Sequence, residues 1–311
     1  MISRRAFLRH VALAGAGLGL AGPRSLLAGP GLASAKTITL MHTNDTHARI
    51  DPFPQGAGLY AGLGGVARRA ALIRRIRQEN PHSLLLDAGD VFQGTPYFNF
   101  YHGALDYRLM SMMGYDASTL GNHEFDNKVQ GFVNVAPEAN FPILSSNFDF
   151  SGAPAMGALT RPYLIRVVDG IRIGFFGLCI DFEGLVLPPL HEGVTYLDPA
   201  TTAENMVNFL RGPGACSLVI CLSHLGYINP SGQFGDRDLA HAVPDIDIII
   251  GGHTHTLMPE PEIIELPGKS PTLISQVGHA GVVLGRLDIT FDRRHRIHRI
   301  ASANQPVQPL A

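Results

Sequence analysis

The chain has 311 residues with 24 basic and 26 acidic side chains, and 45% of its residues are hydrophobic. This composition excludes a disordered chain, and the formal charge of −2 gives no bulk attraction to nucleic acid or anionic lipid. The length favours one large α/β domain over two small ones. Three cysteines at scattered spacing, Cys179, Cys216 and Cys221, do not suggest a disulfide framework, and we expect small buried hydrophobic residues there.

The first 35 residues have the layout of a removable export signal. They contain four arginines and no acidic residue, then an apolar stretch at 11–22 and a small-residue triplet at 33–35. A membrane anchor is the alternative, but the apolar stretch is glycine-rich and shorter than the ~18 residues needed to cross a bilayer. We expect cleavage after Ala35, which leaves 20 basic and 26 acidic side chains and no stable membrane anchor.

The arginine pair in this segment resembles a known export address. Arg4 and Arg5, followed by Phe7 and Leu8, are similar to the twin-arginine (Tat) signal, whose pathway carries folded proteins across a membrane. An ordinary Sec signal is the alternative. The Tat interpretation predicts a periplasmic or extracellular protein, with a signal at 1–35, a folded domain at 36–300 and an untethered tail at 301–311.

Short apolar runs recur along the chain and predict strands. In chain order they are Ile38 to Met41, Ser83 to Leu86, Ala117 to Leu120, Pro142 to Leu144, Ile171 to Leu178, Leu218 to Leu222, Ile246 to Ile250, Thr272 to Ile274 and Val282 to Phe291. Helical patterns lie between them, as at 66–78, and Thr201 with Glu204 resembles a capping box that opens another helix. Gly/Pro-rich segments at 52–65 and 151–159 predict surface loops. This alternation predicts an α/β architecture with helices covering the sheet faces.

Polar clusters follow the carboxyl ends of five of these runs. The clusters contain Asp45 and His47, then Asp90, then Asn122 and His123, then His224, and finally His253 and His255. In an open α/β sheet these ends share one rim, where ligands bind. A single cluster could be a helix cap or a turn, but carboxylate and imidazole groups gathered on one rim indicate a site for Zn, Mn or Fe.

The charge of such a site favours two ions. Asp45 and Asp90 supply two negative charges, the other candidate ligands are neutral, and two divalent ions bring four positive charges. A centre near +2 attracts a phosphate dianion and stabilises the charge that builds on its oxygens in the transition state.

The ordered motifs D-x-H, G-D, G-N-H-E, a lone H and G-H-x-H resemble the calcineurin-like metallophosphoesterases. The surrounding segments at 42–47, 64–68, 86–95 and 121–126 are similar to the 5′-nucleotidase and 2′,3′-cyclic phosphodiesterase branch. The resemblance spans about Thr37 to Phe291, so 36–300 is interpreted as the catalytic domain. It implies two packed β-sheets flanked by helices, a four-layer αββα sandwich.

The resemblance also implies roles for the clustered residues. It assigns one ion to Asp45, His47, Asp90 and His255, and a second ion to Asp90, Asn122, His224 and His253. Asp90 would bridge the pair, and a hydroxide held between the ions would attack phosphorus. His255 is a small variation, because a Gln can replace this histidine in the branch.

His123 follows a candidate ligand, and the resemblance implies that it stabilises the phosphoryl group and the departing oxygen without binding an ion. Asp126 would orient it, although a helix-cap role is the alternative for Asp126. A nucleotidase acting on monoesters is the favoured function. The alternatives are a phosphodiesterase acting on 2′,3′-cyclic nucleotides or other diesters, and a catalytically inactive metal-binding or partner-docking protein, which the intact His123 and Asp126 disfavour.

Members of this branch usually continue into a second domain that supplies most nucleotide contacts, whereas this sequence extends only about twenty residues beyond Phe291. The sequence itself specifies no base, sugar or lipid. We therefore expect a phosphate-ester substrate, most simply a nucleotide, and a separately encoded chain resembling the second domain that docks over the metal rim.

Overall fold

The structure is a computed structural model that describes residues 24–28 and 36–309. The predicted export signal and its cleavage site lie outside the described residues, apart from one strand at 24–28 that pairs antiparallel with a strand near the carboxyl end of the chain. Within the described residues, no helix is long and apolar enough to cross a membrane.

Seventeen strands and seven α-helices make up the described part of the chain. The strands are β1 (Arg24–Ala28), β2 (Lys36–Thr43), β3 (Ser83–Asp87), β4 (Ala117–Thr119), β5 (Ile143–Leu144), β6 (Phe148–Asp149), β7 (Thr160–Arg161), β8 (Tyr163–Val168), β9 (Ile171–Cys179), β10 (Thr195–Tyr196), β11 (Leu218–His224), β12 (Ile248–Gly251), β13 (Glu262–Ile264), β14 (Thr272–Ser275), β15 (Val283–Phe291), β16 (Ile297–Ser302) and β17 (Gln305–Pro306). The helices are α1 (Val66–Glu79), α2 (Pro96–Tyr101), α3 (Ala104–Met113), α4 (Lys128–Val135), α5 (Pro154–Gly157), α6 (Pro199–Arg211) and α7 (Asp236–Ala242). Short 3₁₀ turns lie at Gly58–Tyr60, His123–Phe125, Ala136–Glu138 and Pro188–Leu190.

Two large mixed sheets contain most of these strands. The first has nine strands in the order β1-β16-β15-β2-β3-β4-β5-β7, with β17 also paired to β15, and the second has the order β13-β14-β12-β11-β9-β8. Strands β2, β3 and β4 run parallel in the first sheet, as do β9, β11 and β12 in the second. The strands that precede the polar clusters therefore end at shared sheet edges.

Apolar packing joins the two sheets and their helices into four layers. Alternate residues such as Leu40 in β2 and Ile220 in β11 face each other in a buried core between the sheets. The outer face of the first sheet packs on α1, α3 and α4, through residues such as Ile73 and Met110. The outer face of the second sheet packs on α6 and α7. The predicted αββα sandwich is confirmed, and the three cysteines are free and buried, as expected.

The capping-box prediction at Thr201 is wrong. Helix α6 begins two residues earlier, at Pro199, and Asp198 is its cap, with the carboxylate accepting a hydrogen bond from the Thr201 N–H at 2.7 Å. Proline is suited to the first helical position because its φ is already helical and its missing N–H would have no partner there. The carboxylate then satisfies a free donor in the first turn.

The prediction of an untethered tail from residue 301 is wrong for the residues up to 307. Ser302 ends the edge strand β16, and β17 pairs with β15. Val307 is fully buried in the core beneath α1, its N–H donates to the Val282 carbonyl at 2.9 Å, and its carbonyl accepts from Gly64 at 2.7 Å. The segment is polar and proline-rich, and a single apolar residue has no periodicity. The sequence analysis therefore could not identify Val307 as a buried residue.

The burial of Val307 predicts that this residue contributes to stability. Replacing Val307 with Ala should lower the free energy of unfolding by about 1–3 kcal/mol, because it removes buried methyl groups and leaves a cavity. Denaturant unfolding measures the change, with Met112→Ala as the control, since Met112 is 83% exposed. Equal stability of the Val307 variant and the wild-type protein would mean that the terminal segment is not docked in solution.

Candidate metal centre

The carboxyl ends of five parallel strands, and the turns that follow them, bring all seven predicted ligands to one edge of the molecule. Two of these residues follow β2, one follows β3, one follows β4, one ends β11 and two follow β12. They are Asp45, His47, Asp90, Asn122, His224, His253 and His255. Because both sheets contribute, the site lies across the junction between them.

The first group consists of Asp45, His47 and His255, whose ligand atoms all lie within 4.8 Å of one another. The Nε2 atoms of His47 and His255 are 3.0 Å apart, and His255 Nε2 lies 3.3 Å from Asp45 Oδ1. Three potential ligand atoms therefore converge on one small volume. The family resemblance assigned these three residues, together with Asp90, to one ion.

The second group consists of Asp90, His224 and His253, again within 4.8 Å of one another. His224 Nε2 lies 3.0 Å from Asp90 Oδ2, and His253 Nδ1 lies 2.9 Å from Asn122 Oδ1. Asn122 therefore lies beside this group, where the family resemblance assigned it. The bridging role of Asp90 stays a prediction, because the carboxylate falls in the second group alone.

Hydrogen bonds fix the tautomers of two of these histidines. The Nδ1–H of His47 donates to the Phe92 carbonyl at 3.0 Å, and that of His224 donates to the Ala88 carbonyl at 2.7 Å. Each bond leaves the Nε2 lone pair directed at the site, the arrangement typical of metal-binding imidazoles. Lone pairs and carboxylate oxygens in such close contact suit divalent cations, so the residues fit the ions that the family implies.

The backbone is strained where it carries the ligands. Asp45, His47, Asp90, His253 and His255 have φ values of 49°, 48°, 53°, 69° and 51°. This left-handed region costs a non-glycine residue of the order of 1–3 kcal/mol and persists only where surrounding contacts impose it. The turns therefore aim the side chains at a cost in stability, which is typical of functional sites.

Charges within the site set the protonation of its members. Burial opposes charge on both members of the His224–Asp90 pair, but their mutual attraction together with the neighbouring charges outweighs it, which raises the pKa of His224 to about 10 and lowers the pKa of Asp90. Burial and the neighbouring His224 lower the pKa of His253 to about 4. Cations bound here would take the place of the His224 proton, because they supply the positive charge that Asp90 requires.

His123 and Asp126 form a pair beside the two groups. The Nδ1–H of His123 donates to Asp126 Oδ2 at 2.8 Å, and the His123 backbone N–H donates to Asp90 Oδ1 at 2.8 Å. The His123 ring lies 5.3 Å from the His47 ring, centroid to centroid. Burial lowers the pKa of His123, but the Asp126 hydrogen bond and the Asp90 charge outweigh it and raise this pKa to about 9.

Glu124 is a supporting residue to which the sequence analysis gave no role. Its fully buried carboxylate accepts hydrogen bonds from the backbone N–H groups of Gly121, Asp90, Val91 and Phe92. Burial and the Asp90 charge raise the pKa of Glu124 to about 7. The residue lies inside the G-N-H-E motif, but spacing alone could not show that it organises the backbone instead of binding an ion.

Asn44 and Gln276 are two further supporting residues that the sequence analysis did not assign. Asn44 donates to Asp45 Oδ2 at 2.6 Å and accepts from the Val277 N–H at 3.0 Å. Gln276 donates to the Gly252 carbonyl at 2.6 Å and accepts from the Thr256 N–H, so it holds the turn that carries His253 and His255. Gln276 follows β14, and the end-of-strand argument applied to that run would have found it.

Known proteins are similar to this chain in sequence and in fold. Residues 38–257 match the family model described as calcineurin-like phosphoesterase. The chain is 34% identical to the trifunctional nucleotide phosphoesterase YfkN of Bacillus subtilis, over 83% of this chain and 18% of that protein. It is 34% identical to a snake venom 5′-nucleotidase of Gloydius brevicauda, over 88% of this chain and 48% of that protein. A 5′-nucleotidase precursor from Thermus thermophilus has a solved structure that matches with a TM-score of 0.78 at 35% identity, over 88% of this chain and 56% of that one.

An αββα sandwich with two groups of metal-binding side chains on one edge defines the class of metal-dependent phosphoesterases. The chain belongs to the calcineurin-like phosphoesterase family, and the family predicted from the sequence is confirmed. Members of this family use a binuclear metal site, in agreement with the two groups of ligands. The chain spans about half the length of the venom nucleotidase and of the Thermus protein.

A substitution of Asp90 tests whether this carboxylate bridges both ions. Replacing Asp90 with Ala should lower the metal content of the purified protein to one ion or fewer per chain, because a bridging carboxylate serves both ions. Elemental analysis measures the content, with Asp245→Ala as the control, since Asp245 is exposed and precedes β12 at the opposite end of the sheet. Two ions retained per chain in the Asp90 variant would contradict the bridging role.

Proposed function

We propose that the chain hydrolyses phosphate monoesters as a 5′-nucleotidase-type enzyme with two divalent ions. The observation that carries this proposal is the His123–Asp126 pair beside the two ligand groups, with the His123 N–H bonded to Asp90. A site that only stored metal would have no use for an oriented imidazole at its edge. The relatives named above as nucleotidases support the same activity.

The ligand assignment in this proposal follows the two groups. One ion, of Zn, Mn or Fe, would be held by Asp45, His47 and His255 with a share of Asp90, and the other by Asp90, Asn122, His224 and His253. When bound, two such ions lower the pKa of a coordinated water to make a nucleophile and offset negative charge on the phosphoryl oxygens.

In this proposal, His123 donates the proton and Asp126 orients the His123 ring. Asp126 accepts a hydrogen bond from the Nδ1–H of His123, which fixes the ring and leaves its Nε2 for the substrate. The same hydrogen bond favours a protonated imidazole, so His123 can donate to a phosphoryl oxygen or to the departing alkoxide. The diesterase and the catalytically inactive alternatives are not favoured, because the relatives include nucleotidases and the His123–Asp126 pair is intact.

We also propose that a second domain covers the metal rim, either on the same polypeptide or as a separately encoded chain. Large apolar side chains are exposed on segments that follow the carboxyl ends of β3, β9 and β11. They include Phe100, Leu187 and Ile228, which are 79%, 71% and 54% exposed. These segments follow strand ends on the edge that carries the ligand turns, and their apolar side chains offer contact area to such a domain. The relatives have the additional length for such a domain.

Export belongs to the same proposal, since the relatives include a protein named as a nucleotidase precursor. The arginine pair is what favours the Tat pathway. Changing Arg4 and Arg5 together to Lys should trap the full-length chain in the cytoplasm, because Tat recognition distinguishes the arginine pair from positive charge in general. Fractionation and amino-terminal sequencing measure the outcome, and the exported protein should begin at Lys36. Normal export of the Lys variant would favour the Sec alternative.

A phosphate-release assay with variants tests the activity itself. The wild-type protein should hydrolyse p-nitrophenyl phosphate and nucleoside monophosphates faster than bis-p-nitrophenyl phosphate. Replacing His123 with Ala should lower kcat by about 10²-fold while both ions stay bound, the usual effect of losing a positioned acid or donor.

His102→Ala is the matched control, because His102 is an exposed histidine that lies near the same rim. Preference for the diester would reject the monoesterase proposal. Loss of metal in step with loss of activity in the His123 variant would make His123 a ligand.

A further inference from the structure

His255 is the least constrained histidine in the two ligand groups. His47 and His224 are each held at Nδ1 by a backbone carbonyl, and His253 Nδ1 faces Asn122. His255 makes its polar contacts through Nε2 alone, and within the described residues its Nδ1 has no hydrogen-bond partner. Its side chain is 39% exposed and its backbone is left-handed. Metal-binding imidazoles are normally oriented by a bond at the second nitrogen, so some other contact must orient this ring.

That contact is the ring of His279, to which the sequence analysis gave no role. The two rings stack with centroids 4.6 Å apart and planes inclined by 13°. Tyr60 meets the His279 ring edge-on at 5.1 Å, and Phe53 packs on Tyr60, also at 5.1 Å. The guanidinium of Arg49 lies 4.3 Å from the Phe53 ring. We call Arg49, Phe53, Tyr60 and His279 the ring row.

The backbone that carries His279 is tied to the first ligand group. The Ala280 N–H donates to the Asp45 carbonyl at 2.7 Å, and Asn44 donates to the Gly278 carbonyl. Phe53 and Tyr60 of the ring row also pack on a small hydrophobic cluster formed by the loop at 52–65 and the segment at 277–283. His279 is therefore held in a fixed place relative to Asp45, and its ring limits where the His255 ring can lie.

We propose that His279 is a positioning residue for the first ion. It orients His255 by ring stacking, in place of the hydrogen bond that His47 and His224 have, and so sets the affinity of the first of the two metal sites. This inference rests on the metal-binding part of the proposed function and not on the hydrolytic activity.

The stacked geometry argues against His279 as an additional ligand. Imidazole lone pairs lie in the plane of the ring, and two nearly parallel rings direct them side by side instead of toward one point. A role through stacking requires a flat ring at this position, whereas a role as a ligand requires a nitrogen. The two roles therefore make opposite predictions for a phenylalanine substitution.

The test is a metal titration of the metal-free protein with Zn²⁺ and with Co²⁺, using a competing chelator to resolve the two binding steps. His279→Ala should weaken one step by about tenfold or more, the usual effect of losing a residue that orients a ligand, and leave the other step unchanged. His279→Phe should stay within about threefold of the wild-type affinity. The Co²⁺ absorption spectrum of the affected site should change in the Ala variant and not in the Phe variant.

Leu59→Ala is the matched control, because Leu59 packs against the same hydrophobic cluster and has no ring that could stack on His255. Its two binding steps should match those of the wild-type protein. Thermal unfolding of the metal-free forms shows whether either Ala variant loosens the fold.

Three outcomes would overturn the inference. They are unchanged affinities in His279→Ala, a loss in His279→Phe as large as in His279→Ala, and an equal loss in Leu59→Ala. A wild-type protein that binds two ions but releases no phosphate from any ester would reject the proposed hydrolysis and leave the role of His279 standing.

Discussion

The buried carboxylate of Glu124 is the interaction on which the rest of the site depends. It accepts hydrogen bonds from four backbone N–H groups, three from the turn after β3 and one from the turn after β4. These bonds hold Asp90 in a left-handed conformation that would otherwise be unfavourable. They also fix the separation of Asp90 from Asn122 and His123. A charge buried this deeply is tolerated because several donors surround it, and the same donors would be unsatisfied without it.

The packing of the two sheets against each other sets the geometry of the candidate metal ligands. Asp45 and His47 come from the first sheet and His255 from the second, while Asp90 and Asn122 face His224 and His253 in the same way. Each ion would therefore be held by side chains from both sheets. The apolar core between the sheets sets the separation of these side chains, so it determines ligand geometry as well as stability. A shift between the sheets of about 1 Å would disturb both groups together.

The sequence predicted nine of the seventeen described strands, the layered fold and the clustering of the ligands, because each of these has a local pattern. Apolar runs mark strands, and polar residues at their ends mark the shared rim. The supporting contacts have no such pattern. Glu124 satisfies backbone groups from two distant turns, and the stacking of His279 on His255 depends on how a loop folds over the rim. The docking of Val307 depends on a single residue. Such features follow from tertiary packing, which spacing along the chain does not encode.

The two ligand groups differ in how they are held, and this difference has a functional consequence. In the second group, His224 is fully buried and hydrogen-bonded, so its ring has little freedom. In the first group, His255 is exposed to solvent and constrained by the contact of one ring on another. A buried ligand must lose its protein and backbone contacts before an ion can leave, whereas an exposed ligand can rotate into water. In the proposed two-ion site, the first ion should therefore exchange faster than the second, and the proposed phosphate ester would approach beside the exposed His255.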